Sequence, residues 1–162
     1  TTPEAVGVAF SEALPGIQTP VVEDQLTTMD AKTRSEFEAA TKELNTKIMR
    51  EVDPMPTSVA TILRRAPMVA RAHDVKGSSF IVATGDTQYL RFEDLETING
   101  PDLRIYLSDD LGVDDAVDLG PIRATEGNVN YEIPDGTDLE RYRYALIWCR
   151  AFSVLFSYAH FQ

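Results

Sequence analysis

One cysteine, one tryptophan and two histidines are scattered through 162 residues, so the chain has little of what redox and acid–base chemistry most often uses. A single cysteine excludes an internal disulfide, a C-x-x-C redox pair, a c-type haem motif and a cysteine-ligated zinc cluster. Two histidines leave general acid–base catalysis with few candidates. No apolar run approaches the ~18 residues of a membrane-spanning helix. Bases are also scarce, with 15 Lys and Arg against 26 Asp and Glu and a formal net charge of −11. Such a surface repels phosphate backbones and anionic lipid. This argues against a nucleic-acid partner, and against membrane contact except through an anchor that is removed or missing. Only four of the bases are Lys and eleven are Arg. An acidic, lysine-poor surface suits a salty environment, and a GC-rich genome produces the same arginine bias; both readings stand. The chain begins at Thr1 without methionine, as expected if a signal peptide or anchor were removed ahead of it, or if the sequence were trimmed.

What is present is enough for one core, because 43% of the residues are hydrophobic. The charge is uneven. Residues 1–72 hold 10 acids and 8 bases, for −2, and residues 73–162 hold 16 acids and 7 bases, for −9. Residues 1–27, with Pro3, Pro15, Pro20, Gly7 and Gly16, read as an extended lead-in, a tether or tail. Residues 28–72 read as a helical segment. Thr28 or Asp30 can cap a helix, and Phe37, Ala40, Leu44, Ile48 and Val52 then recur on one helical face. Asp53-Pro-Met-Pro56 is the expected stop. The narrow stripe predicts a helix docked on a surface, either of its own domain or of a partner. Beyond it, Val59, Ile62 and Leu63 could continue a helix, and Arg64, Arg65 and Arg71 form a basic cluster expected to face the acidic remainder.

From about His73 the pattern changes to short strands and turns. Ser79–Ala83, Gln88–Phe92 and Leu103–Leu107 alternate or run apolar. Between and beyond them stand Thr84-Gly-Asp86, Asn99-Gly-Pro-Asp102, Gly120-Pro121 and Pro134-Asp-Gly136. In the Asn99–Asp102 turn, Gly100 is expected to supply positive φ and Asp102 to bond its own backbone. This spacing predicts a mainly β domain over residues 73–162, an antiparallel sandwich or barrel. In the segment Tyr144-Ala-Leu-Ile-Trp-Cys149, Tyr144, Leu146 and Trp148 share one strand face, and Ala145, Ile147 and Cys149 share the other. Both faces are apolar, which is expected of a central strand covered on both sides. Arg150-Ala151 should bend the chain. Phe152, Val154, Phe156 and Tyr158 then fall on one face, with Leu155, Ser157 and Ala159 on the other.

Several separated motifs resemble one family in its order. They are His73-x-x-x-Gly77, Phe92-Glu-Asp-Leu-Glu-Thr-Ile-Asn-Gly-Pro-Asp-Leu-Arg-Ile-Tyr-Leu-Ser108, Asp118-Leu-Gly-Pro121, Asn130-Tyr-Glu-Ile-Pro134 and Ile147-Trp-Cys-Arg-Ala-Phe-Ser-Val-Leu-Phe156. Residues 73–162 are similar to the DM-thirteen domain, the Skeletor-type domain described as electron transfer. Ser157 stands where that family often has Gly. The resemblance implies an extracytoplasmic domain, secreted or anchored at the cell surface. It also implies a protein partner there or in the envelope, sometimes a haem-binding module of the DOMON type. It further implies a proposed redox role for the family cysteine, here Cys149.

The residues themselves leave three readings of Cys149 open: an inert core thiol, a redox or cofactor-contacting thiol, and an intermolecular disulfide. Arg150 is adjacent, but neighbouring strand residues point to opposite faces. A Cys149→Ser change is expected to cost more than Cys149→Ala, because a buried hydroxyl needs a partner. The candidate cofactor-binding or redox residues are Cys149, Trp148, His73 and Asp102, with Asp102 read as a turn former before a catalytic acid. Copper is disfavoured, because His160 follows Cys149 by eleven positions and Met29, Met49, Met55 and Met68 all precede it. Haem through Cys149, His73 or His160 is compatible with spacing alone. The acidic run from Ser108 to Asp118 lacks the EF-hand pattern and reads as a solvated loop, so no metal site is assigned. No Ser/His/Asp order, phosphate loop or paired carboxylates stand out, so no catalytic residue is assigned and an enzyme is not expected. Two functions remain: an accessory module of an electron-transfer system with Trp148 and Cys149 at its centre, and a non-enzymatic structural or adhesive module in which the pair fills the core.

Overall fold

A computed structural model describes residues 21–162. Most of the predicted lead-in, residues 1–20, lies outside them. Ten strands make two five-stranded sheets. The first sheet runs β1 (Arg50–Val52), β8 (Glu126–Ile133), β5 (Thr87–Thr97), β4 (Val75–Thr84) and β2 (Thr61–Pro67). The second runs β3 (Val69–Ala70), β10 (Val154–His160), β9 (Tyr144–Cys149), β6 (Leu103–Ser108) and β7 (Val117–Pro121). All pairings are antiparallel except β1 with β8. Each sheet has two edges, so the fold is a sandwich and not the closed barrel that the strand pattern also allowed. Between the sheets lies a core of Ile81, Leu90, Phe92, Ile105, Ile147, Phe156 and their neighbours, all buried.

The helix forms where Asp30 predicts it. The Asp30 side chain accepts the Thr33 N–H at 2.7 Å and starts α1 (Ala31–Leu44). Phe37 is its buried anchor, with its ring 5.3 Å from Phe152 and 6.0 Å from Phe156. Helix α1 ends at Leu44, well before the proline stop. The Asn45 N–H closes the last turn on Thr41 O, and the chain is then captured by the sheet. The Met49 N–H bonds Thr125 Oγ1 at 3.0 Å, and Arg50–Val52 pairs with β8. Leu44 is only half-buried, and Ile48 and Val52 are 53% and 80% exposed. Their place on the helical stripe was a coincidence of spacing.

Residues 28–72 are therefore not one helical segment. Strands β1, β2 and β3 lie within them and belong to the two sheets, so the sandwich begins ahead of His73. Residues 61–67 carry apolar side chains that suit either helix or strand; pairing with β4 decides for strand. The basic cluster meets the acidic remainder only in part: Arg64 meets Glu140 at 3.0 Å, Arg71 instead meets Asp24 of the N-terminal segment at 3.2 Å, and the Arg65 guanidinium lies over the Phe80 ring. Between β1 and β2, which are opposite edges of the first sheet, residues 53–60 form a strap. Arg91, 4% exposed, holds it by donating through Nη1 to the carbonyls of Asp53 (3.0 Å) and Pro54 (3.1 Å).

The alternation predicted for the last strand breaks once. A register shift between Leu155 and Ser157 inserts an extra residue, so Phe156 and Ser157 both follow the inner side. Tyr158 then packs with the outer cluster and Ala159 with the inner, the reverse of simple counting.

Phe37→Ala should lower stability by about 3 kcal/mol, because it removes a buried ring from a three-aromatic contact. Ile48→Ala should change it by no more than about 0.5 kcal/mol. Urea denaturation of both variants checks this; equal losses would show that α1 does not end where the cap places it.

Candidate functional site

Strand β9 is the middle strand of the second sheet, paired with β6 on one side and β10 on the other. Its side chains divide as alternation requires. Ala145, Ile147 and Cys149 join the core between the sheets, while Leu146 and Trp148 join a second cluster with Tyr106, Leu111 and Leu155 on the outer face. Cys149 is fully buried and Trp148 is 2% exposed. The only thiol and the only indole are thus neighbours in sequence and sit on opposite faces of one sheet. They belong to separate clusters and form no joint centre by contact.

The outer cluster is covered by two segments. Val22 bridges Leu111 in the parallel sense, and the Glu23 N–H donates to Leu111 O at 3.0 Å. Asp24 fixes this segment; its side chain is 1% exposed. Asp24 Oδ2 accepts the Leu155 N–H at 3.0 Å, and Oδ1 accepts the Leu26 N–H and Arg71 Nη2, both at 3.2 Å. The end of the lead-in is therefore docked and is not a tether. The acidic loop supplies the other cover. Ser108 Oγ donates to Gly112 O at 2.6 Å, and Asp109 and Asp115 both meet Arg141. Among the described residues no three His, Cys, Asp or Glu side chains converge as a metal set.

At its end β9 meets the Asn99–Asp102 turn. The Cys149 thiol donates to the Pro101 carbonyl at 3.0 Å. Asp102, not Gly100, takes the left-handed conformation (φ 54°), which a short polar side chain tolerates. Gly100 is needed for a different reason: a Cβ there would come within 2.6 Å of the Phe156 ring. Asp102 closes the turn onto the strand. Its carbonyl accepts the Arg150 N–H at 3.0 Å and its carboxylate accepts Arg150 Nε at 2.7 Å. Arg150 is engaged there and does not reach the sulfur.

Burial pushes the Cys149 thiol up from 9.0 to about 11. The backbone N–H groups of Phe152 and Ala151 pull it down and the Asp102 carboxylate pushes it further up, but desolvation wins. A low-pKa thiolate is the usual mark of a reactive cysteine, and this thiol is its opposite. The Pro101 carbonyl also corrects the expected order of substitutions. A serine hydroxyl at position 149 has an acceptor waiting, so Cys149→Ser need not cost more than Cys149→Ala.

His73 stands apart from the thiol. Its ring lies 4.6 Å from Phe156 and 6.1 Å from Phe37, and burial lowers its pKa while Asp74 opposes the shift. Its buried Nε2 has no hydrogen-bond partner among the described residues. His160 stacks on Tyr144 at 4.3 Å on the outer face. Three surface grooves among the described residues are lined by other side chains and by none of Cys149, Trp148, His73 or His160. As placed, these residues do not fit haem: the sulfur is spent on a carbonyl in a packed core, and neither histidine shares an opening with it.

Residues 68–161, more than half of the chain, match the family described as electron transfer DM13. The chain belongs to the DM13 family. No curated protein and no solved structure matches the chain. The DM13 match begins at Met68, between β2 and β3, so β1 and β2 lie outside it although β2 pairs with β4 along its length.

The raised thiol pKa has a consequence for stability. Above pH 9 the unfolded chain releases the thiol proton while the folded chain keeps it until about 11. Stability should therefore fall as pH rises through this window, by up to about 1.4 kcal/mol per unit from this group. Tyr131, pushed from 10.0 to about 12 by burial, adds a similar loss from pH 10 upward. Between pH 9 and 10 the Cys149→Ala variant should thus show the shallower loss in urea unfolding. Identical slopes would mean that the thiol is not desolvated in the folded state.

Proposed function

We propose that this DM13 chain is an extracytoplasmic accessory module of an electron-transfer system, acting through a protein partner and without catalysis of its own. Trp148 and Cys149 form its structural centre, back to back on the middle strand, and the partner supplies the redox group. The family description supports the electron-transfer setting. The surface-protein setting rests on the motifs that resemble the family. The observation that carries the division of labour is the thiol itself, buried, bonded to the Pro101 carbonyl and pushed up to about 11.

One observation favours a second reading, in which Cys149 is redox-active. The backbone N–H groups of Phe152 and Ala151 pull the thiol pKa down against the burial that raises it, and would favour a thiolate once solvent entered. The absorption spectrum and intact mass of natively purified protein, read before and after mild peroxide treatment, separate the two. The accessory reading expects no Soret or charge-transfer band and an unmodified Cys149. A band lost in Cys149→Ala, or a sulfenic acid formed on the folded protein, would establish the second reading.

A further inference from the structure

We infer that the open edge of strand β2 is a docking site for an extended segment of a partner protein that carries aliphatic and acidic side chains. This names a surface for the partner that the functional reading invokes, yet it stands on the edge alone. Of the seven large apolar side chains well exposed among the described residues, four, Val59, Ile62, Leu63 and Val69, fall within residues 59–69. Among the described residues, strand β2 is an edge of the first sheet and pairs only with β4, so its other side presents unpaired backbone N–H and C=O groups. Such an edge can accept one more strand through main-chain hydrogen bonds, with side-chain pockets giving specificity. A pocket lies beside it, lined by Arg65, Ala66, Pro67, Ser78 and Phe80.

Charge chooses the occupant. Residues 54–73 contain three arginines and no acid, in a chain of net charge −11. Arg64 and Arg71 are paired with Glu140 and Asp24. Arg65 is exposed and has neither a carboxylate nor a carbonyl partner among the described residues; its guanidinium lies over the Phe80 ring at 5.7 Å. A carboxylate two residues from an aliphatic side chain on an added strand would answer both Arg65 and Ile62. A second copy of the chain offers no acid along its own β2 and brings a second net charge of −11, so self-pairing is disfavoured. The bulge between Ile62 and Arg64 and the proline at 67 limit the added strand to a short one.

The test uses the full chain labelled with nitrogen-15 and a capped heptapeptide of alternating valine and glutamate. Saturable amide shifts should concentrate on residues 61–66 and Phe80. A peptide with lysine for glutamate should bind at least about fivefold more weakly, and Arg65→Glu should reverse that preference. A peptide N-methylated at alternate residues, which lacks the bonding N–H groups, should not bind. The proposal falls if no saturable shift appears at millimolar peptide, if shifts map elsewhere, or if the peptides bind alike. It falls equally if the free protein dimerises through β2. A chromophore or a reactive thiol would decide the functional reading without moving these outcomes.

Discussion

The sandwich depends on one strand being buried from both sides. An antiparallel sheet in a two-layer fold usually keeps one face in water. Strand β9 does not: Ile147 and Cys149 face the core between the sheets, and Leu146 and Trp148 face a second cluster outside. That second cluster exists only because chain segments from elsewhere lie over it. The segment around Val22 and the loop after Ser108 provide the cover, and each is fastened by polar contacts to backbone or arginine. Removing Asp24 would leave the part-buried Arg71 without its acid and the Leu155 N–H an orphaned donor, so this fastening is costly to break.

The first sheet is arranged by the same logic with the charges exchanged. Here the buried group is a cation, Arg91, which gathers Glu93, Asn130 and the carbonyls of the strap at residues 53–60. One buried acid and one buried base thus pin the two outer coverings. The same pairing runs through the acidic half of the chain, where Arg104, Arg123, Arg141, Arg143 and Arg150 each meet a carboxylate. The net charge of −11 is therefore carried largely by acids outside these pairs, and among the described residues Arg65 meets no carboxylate and, unlike Arg34 on the Leu26 carbonyl, no carbonyl either.

Much of this was legible where local pattern and final packing agree. The two faces of β9 follow from strict alternation in Tyr144–Cys149, and the start of α1 follows from Asp30. Pattern misled where a long-range partner overrode it. Ile48 and Val52 continue the helical stripe, but pairing of β1 with β8 takes that chain into a sheet. The Asn99–Asp102 turn is where the motif places it, yet Asp102 holds the positive φ, while Gly100 is fixed by the Phe156 ring from β10. Asp24 and Arg91 carry no local mark at all. Asp24 is one acid among 26, and of the two backbone N–H groups it accepts, the one that docks the segment lies 131 residues away.

The central claim is that Cys149 is reached only when the sandwich comes apart. Native-state thiol exchange measures this directly, by following the rate of Cys149 modification across sub-denaturing urea and comparing its opening free energy with that of global unfolding. The account predicts that the two free energies and their urea dependences coincide. A smaller, urea-independent opening at Cys149, with the rest of the protein intact, would show that the turn after β9 uncovers the thiol locally and would contradict it.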